Sequence, residues 1–207
     1  MSAPVVHVRN RIAECAVFDK RRHEKPLELR VGITVHRIER RYGGVVGLAR
    51  AFNDTRPFQP GAYTDGEMPY TLLGMPDGVV EQGLELGDVG PHARRWSTPT
   101  IGVAALGDFR TEHPSPAQWQ SVAVLCAWLT VWGGWSVEAI RGHDERPGGS
   151  ADHRKRCPGA LWSMDGFRQD VAAHTVTIHE ALAVGADGAA EFPLRAERAL
   201  LSMGLVF

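Results

Sequence analysis

A chain of 207 residues, 43% hydrophobic and 23% charged, is long enough to bury a sizeable core and too apolar for extended disorder. Its 23 Lys and Arg against 24 Asp and Glu leave a formal net charge of −1, so no basic excess supports a nucleic-acid partner. Three widely spaced cysteines, Cys15, Cys126 and Cys157, argue against a disulfide-framed mini-domain. The opening MSAPVVHVRNRIAE reaches charge before any apolar run long enough for a signal peptide. No stretch approaches the ~18 apolar residues of a membrane span. A soluble product, cytoplasmic as synthesised and without membrane insertion, is expected.

Residues 29–38, LRVGITVHRI, form a β-branched run bounded by charge, which predicts a buried strand ending near His36. In GVVGLARAFND, Val45, Val46, Leu48, Ala49 and Phe52 recur at helical spacing. The prolines and glycines between Thr55 and Pro69 mark a loop. PYTLLGMPDGVVEQG is two apolar runs around Pro-Asp-Gly, so a hairpin is expected between residues 70 and 82, with a further strand at residues 98–107.

The next segment, HPSPAQWQSVAVLCAWLTVW, has Ser115 as a helix cap, Pro116 at the first helical position and Gln118 three residues after the cap. Its apolar residues cover several faces, which predicts a helix packed on more than one side and makes Cys126 a core residue. VEAIRGHD predicts a last short strand, residues 162–174 a helix, and PLRAERALLSM a helix in the tail. Strands alternating with helices predict an α/β fold with a central mixed sheet flanked by helices. A domain over residues 1–175 followed by a C-terminal extension over 176–207, of uncertain role, is the expected organisation.

Residues 140–159, IRGHDERPGGSADHRKRCPG, concentrate His143, His153, Lys155 and Cys157. A catalytic zinc takes about three protein ligands and leaves one position open, whereas structural zinc sites are closed. His143, His153 and Cys157 could form a structural set on their own. Alternatively, His143 and Cys157 join the remote His36 at its strand end, and such ligands drawn from distant segments fit an open catalytic site.

ITVHRI, YTLLGMPDGVVEQGLELGDVGPHA, TIGVAALGDF, SPAQWQSVAVLCAWL, and GHDE followed by KRCPG occur in an order that resembles one superfamily. It is that of the zinc-dependent N-acetylmuramoyl-L-alanine amidases, comprising type-2 amidases, peptidoglycan recognition proteins (PGRPs) and T7-lysozyme-like enzymes. The resemblance covers roughly residues 29–170. It implies an amidase/PGRP-like fold and a Zn2+ cofactor held by His36, His143 and Cys157. Tyr70 and Lys155 fall on the catalytic tyrosine and lysine of the phage-type enzymes. Ala104 falls where another branch carries a glutamate, which points to the tyrosine and lysine version of the site. His92 matches a histidine near the substrate cleft and is expected to bind substrate.

The implied activity is hydrolysis of the amide joining N-acetylmuramic acid to L-alanine in peptidoglycan. Tyr70 would position the water or oxyanion and Lys155 would stabilise the oxyanion. The implied setting is endolysin-like, bacteriolytic degradation of the cell wall by a monomer after phage-type release. A cytoplasmic amidase recycling soluble muropeptides and a peptidoglycan-binding module without hydrolysis are the alternatives.

Overall fold

The computed structural model describes residues 3–16, 27–38, 40–55, 68–147, 156–183 and 192–207. Among the described residues, six strands form one mixed sheet: β1 (Val8–Asn10), β2 (Ile33–Ile38), β3 (Leu72–Gly74), β4 (Val80–Gln82), β5 (Ile101–Leu106) and β6 (Ile140–Gly142), in the order β1-β4-β3-β5-β2-β6. Only the β3/β4 pair, the expected hairpin, is antiparallel. The helices are α1 (Ile12–Ala16), α2 (Val45–Thr55), α3 (Pro116–Gly133), α4 (Met164–Ala183) and α5 (Phe192–Ser202).

Side chains alternate across the sheet, because successive residues of a strand point to opposite faces. Ile33 and Val35 of β2 and Ile101, Val103 and Ala105 of β5 share a buried cluster with residues of α3, α4 and α5. On the other face, Ala104 and Leu106 of β5 and Leu73 of β3 pack with Val45, Leu48 and Ala49 of α2. β5 is buried at all six positions, which explains its unbroken apolar sequence. Thr34 and His36 point to the α2 face.

Helix α3 forms as its sequence predicts. The Ser115 side chain accepts from the Gln118 N–H at 3.0 Å, Pro116 opens the helix, and Gly134 closes it at φ 63°. The Gln118 side chain does not complete a capping box. It donates instead to Gly74 O at 2.8 Å and Leu106 O at 3.1 Å, tying the ends of β3 and β5 to the helix. Cys126 is fully buried, and burial pushes its thiol pKa up. No described helix is long and apolar enough to cross a membrane.

Two features depart from the expected element list. The edge strand β1 and the short α1, at whose start Asn10 Oδ1 accepts from Ile12 N at 2.9 Å, are absent from that list. The helix expected over 162–174 continues as α4 to Ala183, so residue 175 falls inside an unbroken helix. The tail also packs inward: Ala196, Leu200 and Leu205 join the main core cluster. Its end is held by Gln82, whose side chain donates to Val206 O at 2.7 Å and accepts from Val206 N at 2.8 Å.

Candidate metal centre

The site is built where β2, β5 and β6 run parallel. Register sets His36 opposite Ala104 of β5 and Val35 opposite Gly142 of β6. His143, the residue after β6, therefore emerges level with His36. The 3-10 turn His143–Glu145 holds it there, with Glu145 Oε2 accepting from Gly142 N at 2.8 Å. Cys157 arrives from a later loop. Its carbonyl accepts from Asp144 N at 3.0 Å, and its Sγ accepts from Arg37 N at 3.4 Å.

Gly159 lets this loop lie against the backbone of Phe109. Its φ is +133°, and a Cβ there would come within 2.5 Å of Phe109 C and O. Gly159→Ala should cost about 1–3 kcal/mol by combining left-handed strain with a backbone clash. A chemical-denaturation midpoint equal to wild type would contradict this.

His36, His143 and Cys157 offer ligand atoms that all lie within 4.8 Å of one another. Cys157 Sγ is 3.6 Å from His36 Nδ1. Tetrahedral zinc with Zn–N of about 2.0–2.1 Å and Zn–S of about 2.3 Å places such N and S donors about 3.6 Å apart. The donor types and the His36–Cys157 spacing therefore fit zinc. Two imidazoles and one thiolate also leave a fourth position, as an open site requires.

Electrostatics favours the donor forms of the imidazoles. Burial, then the charges of His92, His143 and Arg146, holds the His36 pKa well below the ordinary histidine value. Burial lowers that of His143, with Asp144 opposing. Cys157 is pushed up to about 11, by burial first and by Asp144 in addition, against the Arg37 N–H and charge.

The remaining expected site residues are placed unequally. The Tyr70 ring centroid is 4.9 Å from that of His36, beside the donors. His92 is 7% exposed, with its ring centroid 5.1 Å from that of His36. Its Nδ1 is 3.1 Å from His36 Nε2 and its Nε2 is 3.1 Å from Thr100 O. Ala104 puts no carboxylate beside His36. Lys155 and His153 lie outside the described residues.

A supporting network adds residues that carry no local sequence signal. Arg146 donates from Nε to Thr34 Oγ1 at 3.1 Å and from Nη2 to Ile33 O at 2.7 Å. Its guanidinium also sits 4.7 Å from the Trp96 ring centroid. Thr34 Oγ1 is 2.8 Å from Thr100 Oγ1, which donates to Trp96 O. Because arginine only donates and a carbonyl only accepts, protons in this chain run from Arg146 through Thr34 and Thr100 to Trp96. The ligand turn at His143 is thereby tied to β2 and to the loop before β5.

A family model described as N-acetylmuramoyl-L-alanine amidase matches residues 31–160, a span holding all three donors. The chain belongs to this amidase family. Its fold is shared with the endolysin amidase LysCS from Clostridium intestinale, at TM-score 0.61 and 15% identity over 83% of this chain and 99% of that one. Drosophila PGRP-LB superposes at TM-score 0.57 and 19% identity, over 77% and 92% of the two chains. AmpD, solved as a selenomethionine derivative, gives 0.56 and 20%, over 80% and 93%. No curated protein matches the sequence. The fold shared with amidases and a PGRP is the central mixed sheet with flanking helices described above.

Proposed function

We propose that this amidase-family chain is a zinc-dependent hydrolase of the amide between the lactyl group of N-acetylmuramic acid and L-alanine, acting as an endolysin-like wall-degrading enzyme. The observation that carries the reading is the clustering of His36, His143 and Cys157 donors within 4.8 Å, complete in number and type. Zinc in such a set supplies Lewis acidity, activating water near neutral pH and polarising the scissile carbonyl. His36 and His143 contribute neutral imidazoles, and Cys157 contributes its thiolate. Together they bring a charge of −1 to a divalent ion and leave the centre cationic.

Tyr70, beside His36, orients the attacking water or the developing oxyanion through its hydroxyl. Lys155, two residues before the ligand Cys157, stabilises that oxyanion, a role commonly worth ~3–4 kcal/mol. Lys155→Met should lower turnover by roughly 10^2–10^3-fold with stoichiometric zinc retained. Wild-type turnover in that variant would remove Lys155 from the reaction.

Zinc binding should depend on pH with a definite sign. The His36 and His143 pKa values are lowered, so both rings are neutral at pH 7 and surrender no proton to the metal. Cys157, raised to about 11, is a thiol and must lose its proton on binding. Apparent affinity should therefore rise about tenfold per pH unit above neutrality and level off near the thiol pKa. Chelator competition at several pH values measures the slope, and a pH-independent affinity would remove the thiolate from the ligand set. Incubated with purified cell walls, the protein should solubilise them and create new L-alanine amino termini. Adsorption without new termini would instead favour a peptidoglycan-binding module.

A further inference from the structure

We infer that His92 is a positioning residue that fixes which nitrogen of His36 is offered to the metal, through a directed hydrogen-bond relay ending on the Thr100 carbonyl. The inference rests on the zinc reading above for its consequence but not for its geometry.

The direction follows from what each group can do. Thr100 O has no proton to give, so His92 Nε2, 3.1 Å away, must carry the hydrogen of that bond. A second ring proton would make a buried imidazolium that shares its Thr100 carbonyl acceptor with the Arg30 guanidinium, also 3.1 Å from that oxygen, so two like charges would meet at one carbonyl. Its Nδ1 is thus a bare lone pair, 3.1 Å from His36 Nε2. His36 Nε2 must then be the protonated nitrogen and the donor. With its one proton there, His36 presents a free lone pair at Nδ1, the atom that lies 3.6 Å from Cys157 Sγ. Ligating histidines commonly use their second nitrogen in this way, and the partner sets both tautomer and ring orientation. Here the partner is another imidazole, itself set by a carbonyl.

Two further observations show that the relay is built into the fold. The His92 ring lies flat on the sheet where β5 has Gly102: a Cβ at that position would come within 2.7 Å of His92 Cδ2 and 2.8 Å of Cγ. The Thr100 carbonyl is held by Arg30 Nη1 at 3.1 Å, and its side chain by Thr34 and Trp96. The acceptor that ends the relay is therefore fixed from three sides.

Nitrogen-15 spectra of the metal-free protein decide the direction. Protonation at His36 Nε2 and His92 Nε2, with both Nδ1 atoms bare, is expected; a proton on His36 Nδ1 overturns the assignment. Chelator competition then reads the consequence. His92→Leu should weaken zinc binding by roughly 10–100-fold. His92→Asn, whose Oδ1 can accept from His36 Nε2, should recover most of it. Gly102→Ala, which displaces the ring and leaves its chemistry intact, should weaken binding as well, with circular dichroism confirming a folded chain in each case. Wild-type affinity in folded His92→Leu overturns the positioning role. If the wild-type protein binds no zinc, the zinc reading fails, while the nitrogen-15 pattern still decides the relay.

Discussion

Cys157→Ala should abolish both stoichiometric zinc binding and wall hydrolysis while leaving the chain folded. The sulfur is one of three donors and the only anionic one in the set. Its removal should exceed the ~10–100-fold affinity loss typical of an outer-shell partner. A Lewis acid supplying several kcal/mol of barrier reduction corresponds to a turnover loss of about 10^3-fold or more. The fold should survive because backbone bonds hold the loop besides the long Arg37 N–Sγ contact: Asp144 N donates to Cys157 O at 3.0 Å, and Leu161 N to Phe109 O at 2.8 Å. Metal analysis and a wall-clearing assay on the folded variant check the expectation. Stoichiometric zinc together with cleavage would refute the ligand assignment.

The second large effect is on stability. Arg30 is 3% exposed, and the four N–H groups of its two terminal nitrogens are shared among six backbone carbonyls. Nη1 reaches Thr98 O at 2.7 Å, Ser97 O at 2.9 Å and Thr100 O at 3.1 Å; Nη2 reaches Asp88 O at 2.7 Å and Gly87 O at 3.3 Å, with Leu86 O at 3.5 Å. One guanidinium thus ties together two non-regular segments; Thr100 O keeps the His92 N–H without it, and a buried carbonyl left with no partner costs about 1–3 kcal/mol. Arg30→Met keeps similar bulk and removes every donor. Because water and relaxation recover part of the loss, the net cost should be about 3–5 kcal/mol. The urea midpoint checks it, and a midpoint within error of wild type would show that those carbonyls find other partners. Thr100 ends the His92 relay, so the folded fraction of the variant should also bind zinc more weakly.

These residues show what a sequence can and cannot disclose. Helix α3 is legible because Ser115, Pro116 and the long apolar run are local signals for one element. The hairpin is legible because Pro-Asp-Gly separates two apolar runs. His36, His143 and Cys157 stand out because their types suit zinc and His36 lies near the end of a recognisable strand; the structure brings all three together. The extent of α4 was less legible. Thr175, Val176, Thr177 and Ile178 are β-branched and lower helix propensity, yet Ile178 is fully buried in the core, so packing overrides the local preference.

The support network is the least legible part. Arg30 and Arg146 act on carbonyls and hydroxyls far away in sequence, Thr34 and Thr100 meet only through β2/β5 register, and Gly102 matters only because a ring lies on it. None leaves a periodic or spaced trace. His92 was visible as a histidine near the site, but its role depends on which atoms face each of its nitrogens, and that is tertiary information.

The most direct test of a zinc amidase at this site is mass spectrometry of products from purified peptidoglycan, with active protein, with chelator, and with zinc restored. Stem peptides with a free L-alanine amino terminus and glycan carrying intact lactyl carboxylates should appear, vanish with chelator and return with zinc. Cleavage at another bond, or the same products undiminished by exhaustive chelation, would contradict it.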